Sequence, residues 1–311
     1  MSISKVVVIG CGAIAPIHLH AINQSENASV YGVCDIEPKV REQFKNQYSC
    51  KAFDSFEEVL KDDNVDSVHI CTPHFLHVPM LVGAVRAGKK VVIEKPIAMN
   101  LRELEYAQKV VEECKVPVCS VIQNRLNPCI QRIKKIISEG KYGKVLGLKG
   151  FLAWNRPPQY YQNSDWRGKW DTEGGGLVIN QALHTLDLLC YLGGKPEYIK
   201  ATMDTRVLNE VIEVEDTAEA TIFLENGVLA HFYATNNYST NASYDIEVNL
   251  EECSLRYIFG SLYLIKNNET KIIEAETLAT IGKDYWGNSL EILIDNFYSC
   301  KIGRASCMER V

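Results

Sequence analysis

Two patterns of apolar and polar positions divide the chain. In the first part, short runs that are apolar at nearly every position alternate with longer stretches of helical period. KVVVIG (5–10) is a continuous β-branched run, the pattern of a strand buried on both faces of a parallel sheet. A helical stretch from about Ile14 to Ser25 follows it. SVYGVCD (29–35) reads as the second strand, and Pro38 opens the next helix, where a first-turn proline is tolerated. SVHICTP (67–73) leads into a helix from about Phe75 to Ala87, KKVVIEKP (89–96) into one from Leu101 to Cys114, and PVCSVIQ (117–123) closes the series. Strands alternating with helices predict βαβ units and a doubly wound parallel sheet.

After about Asn124 the pattern changes. One helix, Asn127 to Ser138, is stopped by Gly140 and followed by the strand VLGLKGFLAW (145–154), and a long helix is predicted from Gly176 to Leu192. The rest is dominated by strands: TAEATIFLE (217–225), VLAHFYATNNY (228–238), alternating runs to Phe259, and SLYLIKNN (261–268). Asn226-Gly227 between two alternating runs is a strong hairpin signal. These runs predict an antiparallel sheet with helices on one face. The expected domains are residues 1–123 and 124–301. The last ten residues, IGRASCMERV (302–311), read as a non-native read-through of a sequencing adapter, which would make the natural chain longer.

A length of 311 residues suits two domains, and 46% hydrophobic with 23% charged residues is a globular profile. No apolar run reaches the roughly 18 residues that span a bilayer, and MSISKVVVIG lacks the zones of a signal peptide, so a cytoplasmic protein without membrane partners is expected. A net charge of −6, with no basic stripe, argues against nucleic acid. Eleven scattered cysteines without a CxxC pair read as reduced thiols.

The first βα turn, Gly10-Cys11-Gly12-Ala13-Ile14-Ala15, has the form GxGxxA. Gly10 permits the tight turn, Gly12 lets backbone approach a pyrophosphate, and Ala15 lets helix pack on strand. The helix start beyond it offers free N–H groups and a positive dipole end to phosphate. Asp35, 23 residues after Gly12, ends the second strand, where a carboxylate accepts from ribose hydroxyls and repels a 2′-phosphate; NAD is expected, with NADP disfavoured. Lys95 and Thr72-Pro73 end further strands at the edge where open α/β sheets bind ligands. In GGGLVINQALHTLDLLCYLGG (174–194), Asn180, His184 and Asp187 stand at i, i+4 and i+7, which predicts one helical face whose polar groups are satisfied by each other or by a ligand. The segment 153–170 is rich in Trp, Tyr, Asn and Arg, suited either to a polyhydroxylated ring or to a packed surface loop; Trp154, Tyr160, Tyr161, Trp166 and Arg167 are its candidate contacts. His74 and His77 are three apart, but no ligand cluster completes a metal site, and none is expected.

GCGAIAPIH, the CTP triplet at 71–73, AGKKVVIEKP and the GGG…H..D stretch together resemble the Gfo/Idh/MocA oxidoreductases over nearly the whole chain to about residue 301. The resemblance implies a Rossmann domain followed by an α+β domain with a large open, mostly antiparallel sheet that pairs subunits into a homodimer or homotetramer. It implies a nicotinamide cofactor contacted by Gly10, Gly12, Ala13, Ile14, Asp35, Cys71, Thr72, Pro73, His77, Glu94 and Lys95, and a sugar, cyclitol or sugar-derivative substrate. By position, Lys95 matches the family lysine that bonds the reacting hydroxyl, and His184 the acid/base histidine. Many relatives place aspartate four residues before that histidine, whereas this chain has Asn180. An amide cannot relay a proton by ionising, but it can orient a hydroxyl or an imidazole. The expected reaction is hydride transfer at a secondary alcohol carbon, with His184 or Lys95 taking the proton. Two alternatives are an NAD-dependent glycosidase working through transient C3 oxidation and a nucleotide-binding regulator without turnover.

Overall fold

The structure, a computed structural model, describes residues 3–276 and 288–299; the proposed read-through segment 302–311 lies outside the described residues. In chain order the elements are β1 (Ser4–Ile9), α1 (Ala15–Gln24), β2 (Ala28–Cys34), α2 (Pro38–Tyr48), β3 (Lys51–Phe53), α3 (Phe56–Lys61), β4 (Ser67–Ile70), α4 (His77–Arg86), β5 (Lys90–Ile93), α5 (Leu101–Cys114) and β6 (Val118–Ser120). Then come α6 (Pro128–Ser138), β7 (Val145–Ala153), α7 (Pro158–Gln162), α8 (Trp170–Glu173), α9 (Leu183–Gly193), β8 (Pro196–Asp204), β9 (Thr217–Leu224), β10 (Leu229–Thr235), β11 (Asp245–Leu250), β12 (Ser254–Ile258), β13 (Ser261–Lys266), β14 (Glu269–Ala275) and α10 (Ser289–Ser299).

The chain forms two compact units, Met1–Gln123 with Asn288–Val311, and Asn124–Gly287. The first is a six-stranded parallel sheet in the order β3-β2-β1-β4-β5-β6, a doubly wound arrangement with the change of direction beside β1. Val6, Val7, Val8, Val91, Val92 and Ile93 are fully buried, as strands covered on both faces require. Local chemistry sets the helix starts. Asn100 caps α5 by accepting from the Glu103 N–H while the Glu103 carboxylate accepts from Met99 N, and Pro38 opens α2. Helix α10 belongs to this unit, so the second unit ends at Gly287 where the sequence reading extended it to 301. The reason is side-chain anchoring: Ser25 Oγ donates to Asp295 Oδ1 (2.8 Å) and Tyr298 Oη lies 2.8 Å from Ser67 Oγ.

The second unit is an eight-stranded sheet, β14-β13-β12-β11-β7-β10-β9-β8, antiparallel except for the parallel β7–β10 pair. Asn226-Gly227 makes the expected hairpin turn. Gly227 takes φ +82°, and the Asn226 side chain accepts from Val228 N and donates to the Gly193 carbonyl. One sheet face packs on α6 and α9 through Leu148, Leu152, Ile246, Leu188, Leu189 and Ile133. On the other face Phe151 and Tyr233 are exposed cross-strand partners, with Leu229 also exposed.

Candidate active site

In the first unit, parallel register brings the carboxyl ends of β1, β4 and β5 side by side. Ile9 pairs with Ile70 and Ile70 with Ile93, so the chain leaves the sheet at Gly10, Cys71 and Glu94 on one rim. Gly10 takes φ +87°, and a Cβ there would sit 2.8 Å from the Cys71 carbonyl oxygen; only glycine lets the two loops approach this closely. Gly12 and Ala13 are exposed, and a Cβ at Gly12 would meet nothing within 4 Å. Helix α1 starts without a side-chain cap, which leaves its leading N–H groups to an anion. Asp35 fixes this loop: Oδ2 accepts from Cys11 N (2.7 Å) and Oδ1 from Glu37 N (2.8 Å). Each carboxylate oxygen keeps a second lone pair for a ribose hydroxyl. An open glycine, an uncapped helix start and a strand-end carboxylate fit the pyrophosphate and ribose of NAD.

Thr72 follows on the same rim, its Oγ1 donating to the Met80 sulfur at 3.6 Å, and Pro73 precedes the short turn that opens at His74. The Cys71 thiol is pushed well up by burial, so it stays protonated. His77 is wholly buried: Nδ1 lies 2.6 Å from the Pro96 carbonyl and Nε2 2.8 Å from that of Thr72. Burial pushes the imidazole below its ordinary range, and the two carbonyls pull the other way. The ring thus joins the loop after β4 to the loop after β5, and it braces the rim from behind. Glu94 and Lys95 follow β5 directly; Glu94 Oε1 lies 3.0 Å from His18 Nε2, and Oε2 accepts from Lys95 N (3.2 Å). Among the described residues no group of three or more His, Cys, Asp or Glu side chains could hold a metal ion.

In the second unit the segment before α9 departs from the sequence reading. A single helix was expected from Gly176 to Leu192, but residues 174–182 form turns and bends and α9 begins at Leu183. Asn180 therefore does not share a helical face with His184 and Asp187. The cause lies in Glu215, whose carboxylate accepts from Gly176 N (2.9 Å) and Val178 N (2.8 Å) while its carbonyl accepts from Leu177 N (3.0 Å). A Cβ at Gly176 would collide with that carbonyl oxygen. A helix starting at Gly176 would leave these same three N–H groups without an intrahelical partner, so Glu215 satisfies them and fixes the path of the segment, and the glycines make the turn accessible.

The polar trio does not satisfy itself either. Asp187 is gripped by Arg125 in a fork, with N–O distances of 2.6–3.1 Å, so it is a structural ion-pair partner. Asn180 Nδ2 donates to Glu173 Oε1 at 2.6 Å. Glu173 is buried at the end of α8, also accepts from Gly168 N (2.6 Å), and has its carboxyl raised by burial. With an ionised Glu173, Asn180 must present Nδ2 inward and leave Oδ1 to act as an acceptor. His184 is buried, 7% exposed, on the first turn of α9.

The aromatic segment is largely structural in its geometry. Trp154 Nε1 donates to the Ala242 carbonyl, and the Tyr161 hydroxyl accepts from Asn236 Nδ2 (2.9 Å) within a small cluster with Leu208, Ile212 and Val214. Burial pushes the Tyr161 hydroxyl up. Gln181 links the segments, donating to the Tyr160 hydroxyl (3.2 Å) and accepting from Asn236 (3.1 Å). Arg156 and Arg167 both stack on Tyr160, and Arg167 also on Trp166. Tyr161, Ser164, Arg167 and Lys169 are among the lining of a cavity of about 290 Å³. Glu173, Gln181, Glu215 and Asn236 escaped the sequence reading. Glu173 could have been found as the acidic residue directly before the three glycines; the others pair over separations of 21 to 75 residues and carry no local signal.

Residues 4–122 match the family description "Oxidoreductase family, NAD-binding Rossmann fold" of GFO_IDH_MocA, and residues 130–256 match the GFO/IDH/MocA C-terminal domain. Glucose-6-phosphate 3-dehydrogenase of Bacillus subtilis is 25% identical over 84% of this chain and 76% of its own length. Myo-inositol 2-dehydrogenase of Thermotoga maritima is 24% identical over 94% of this chain and 84% of its own. The WlbA dehydrogenase of Bordetella pertussis, solved with NADH and UDP-GlcNAcA, superposes with a TM-score of 0.82 at 28% identity, covering 96% of this chain and 88% of that one. The chain belongs to the Gfo/Idh/MocA oxidoreductase family, whose nicotinamide cofactor fits the rim described above.

Proposed function

We propose that this member of the Gfo/Idh/MocA family, an NAD-dependent oxidoreductase acting on CH–OH groups, uses Lys95 and His184 to work on one secondary alcohol carbon of a sugar, cyclitol or sugar derivative. The observation that carries the reading is the rim of the first unit, where Gly12, Thr72 and Lys95 leave three neighbouring strands of one parallel sheet. The bound nicotinamide supplies the hydride acceptor or donor. Oxidation of a carbinol requires its hydroxyl proton to leave as the hydride goes, so the site needs a cation for the developing alkoxide and a base. Lys95 serves the first and His184 the second, imidazole being the side chain type whose usual titration range lies closest to neutral pH. Asn180, held by Glu173, offers Oδ1 to a substrate hydroxyl and orients it without ionising. Trp166 and Arg167 contact the ring, whereas Trp154 and Tyr161 hold the segment in place. Asp35 selects NAD by accepting from the ribose.

The exposed Phe151, Tyr233 and Leu229 on the open sheet face support assembly with a second copy. All nine described cysteines are free thiols, which supports a reducing, cytoplasmic setting. Among the described residues no helix is long and apolar enough to cross a membrane. The dehydrogenase names of the relatives favour neither the glycosidase nor the regulator reading. A panel of sugars, inositols, uronates and sugar nucleotides offered with NAD tests the proposal: NADH absorbance should rise with at least one and vanish in Lys95→Ala and His184→Ala. Undiminished NADH formation in both variants would overturn the assignment.

A further inference from the structure

A line of hydrogen-bonded side chains runs through the first unit from Glu94 to α10. Glu94 Oε1 lies 3.0 Å from His18 Nε2, His18 Nδ1 2.9 Å from His69 Nδ1, His69 Nε2 2.9 Å from Tyr298 Oη, and Tyr298 Oη 2.8 Å from Ser67 Oγ. Ser67 Oγ donates to the Lys90 carbonyl at 3.1 Å. His18, Ser67 and His69 are wholly buried. Each link needs one hydrogen, and the far end fixes their direction. A carbonyl only accepts, so the Ser67 hydroxyl points at it and Ser67 Oγ must accept from Tyr298. Tyr298 then has no hydrogen left for His69, so His69 Nε2–H donates to Tyr298. Burial and the neighbouring His18 push His69 well down, which keeps its ring neutral and leaves Nδ1 bare. His18 Nδ1–H therefore donates to His69. At the near end a carboxylate oxygen faces Nε2 of a ring whose other nitrogen is already protonated.

We propose that the Glu94–His18 contact holds one bound proton, imposed by the polarity of the line through His69, Tyr298 and Ser67, and that His18, His69, Tyr298 and Ser67 are positioning residues setting the charge beside Lys95. With that proton the pair is neutral overall, as imidazolium and carboxylate or as imidazole and carboxylic acid. Without it the pair carries a full negative charge next to Lys95, which would hold the ammonium proton more tightly. The line thus sets the pH at which Lys95 gives up its charge. Cys71, His77 and Lys95 face Glu94, and Cys119 and Asp66 face Tyr298; of these, Lys95 donates its backbone N–H to Glu94 Oε2, the oxygen that does not face His18.

Nitrogen NMR of the ¹⁵N-histidine-labelled full chain reads the tautomers directly. Wild-type His69 should carry its hydrogen on Nε2 and His18 on Nδ1. Tyr298→Phe removes the acceptor of His69, and Ser67→Ala frees the Tyr298 hydrogen to point at His69. Either change should move the His69 hydrogen to Nδ1, although the two remove different atoms. Hydrogen on Nδ1 of wild-type His69, or on Nε2 in both variants, would overturn the proposal. The consequence for Lys95 rests on the proposed function and is read separately. In both variants the limb of the kcat/KM profile that reports Lys95 should move up by about one pH unit, with the melting temperature as the check on folding. A tautomer switch without any movement of that limb would refute the role beside Lys95 while leaving the dehydrogenase reading to the substrate panel.

Discussion

The rim of the first unit and the segment before α9 in the second are built by opposite means. On the rim, the backbone ladder of β1, β4 and β5 sets where Gly10, Cys71 and Glu94 leave the sheet, and the side chains behind it, such as His77, only brace what register has fixed. Before α9 no ladder is available. Residues 174–182 are held by two buried carboxylates, Glu173 and Glu215, which accept from Gly168, Gly176, Val178 and Asn180. The difference teaches where each half is vulnerable. Single side-chain changes on the rim should alter chemistry with little cost to shape, whereas the second region should lose shape with its carboxylates.

The largest expected effect sharpens this contrast. Lys95→Ala should lower turnover by about 10²–10⁴-fold with NAD affinity retained, measured by steady-state rates and by cofactor fluorescence titration; an equal loss of NAD binding would move Lys95 from chemistry to cofactor binding. Glu215→Ala should act through structure. It strands the buried N–H of Gly176, at about 1–3 kcal/mol, and the half-buried N–H of Val178 at less, so the melting temperature should fall and limited proteolysis should cut within 174–182. Unchanged melting and proteolysis would show that the segment does not depend on that carboxylate.

Asn180→Asp tests the Glu173 contact at smaller cost. Two carboxyls at 2.6 Å cannot both ionise, so the variant should hold a shared proton with a raised pKa. A group with a raised folded pKa contributes stability that is present at low pH and lost as pH rises through that value. The variant should therefore melt progressively below wild type as pH rises, and parallel melting curves across pH would break the assignment. Smallest is Asp35→Asn, which keeps one acceptor for Cys11 N but loses the charge. The NAD/NADP preference should fall by about tenfold, and an unchanged ratio would remove Asp35 from cofactor choice.

The same contrast explains what the sequence made legible. The first unit was readable because KVVVIG, SVHICTP and KKVVIEKP carry buried-strand patterns, and GxGxxA marks the turn that needs a positive φ. The antiparallel sheet and the Asn226-Gly227 hairpin were legible for the same local reasons. The helix was predicted from Gly176 because the apolar period continues through LVINQAL, whereas the contact that fixes this segment comes from Glu215, 39 residues from Gly176, which no local period encodes. Asp187 read as one of three polar groups satisfied by each other or by a ligand because its partner Arg125 lies 62 residues away. Placing α10 in the first unit depends on Asp295 and Tyr298 finding Ser25 and Ser67, contacts that no local period encodes.

The central claim is that Lys95 and His184 act on the same carbinol carbon, and a double-mutant cycle on kcat/KM with an accepted substrate tests it most directly. Groups that work as a unit are strongly non-additive, so Lys95→Ala/His184→Ala should be scarcely slower than the worse single variant. Losses that multiply in full would show two independent contributions and contradict the account.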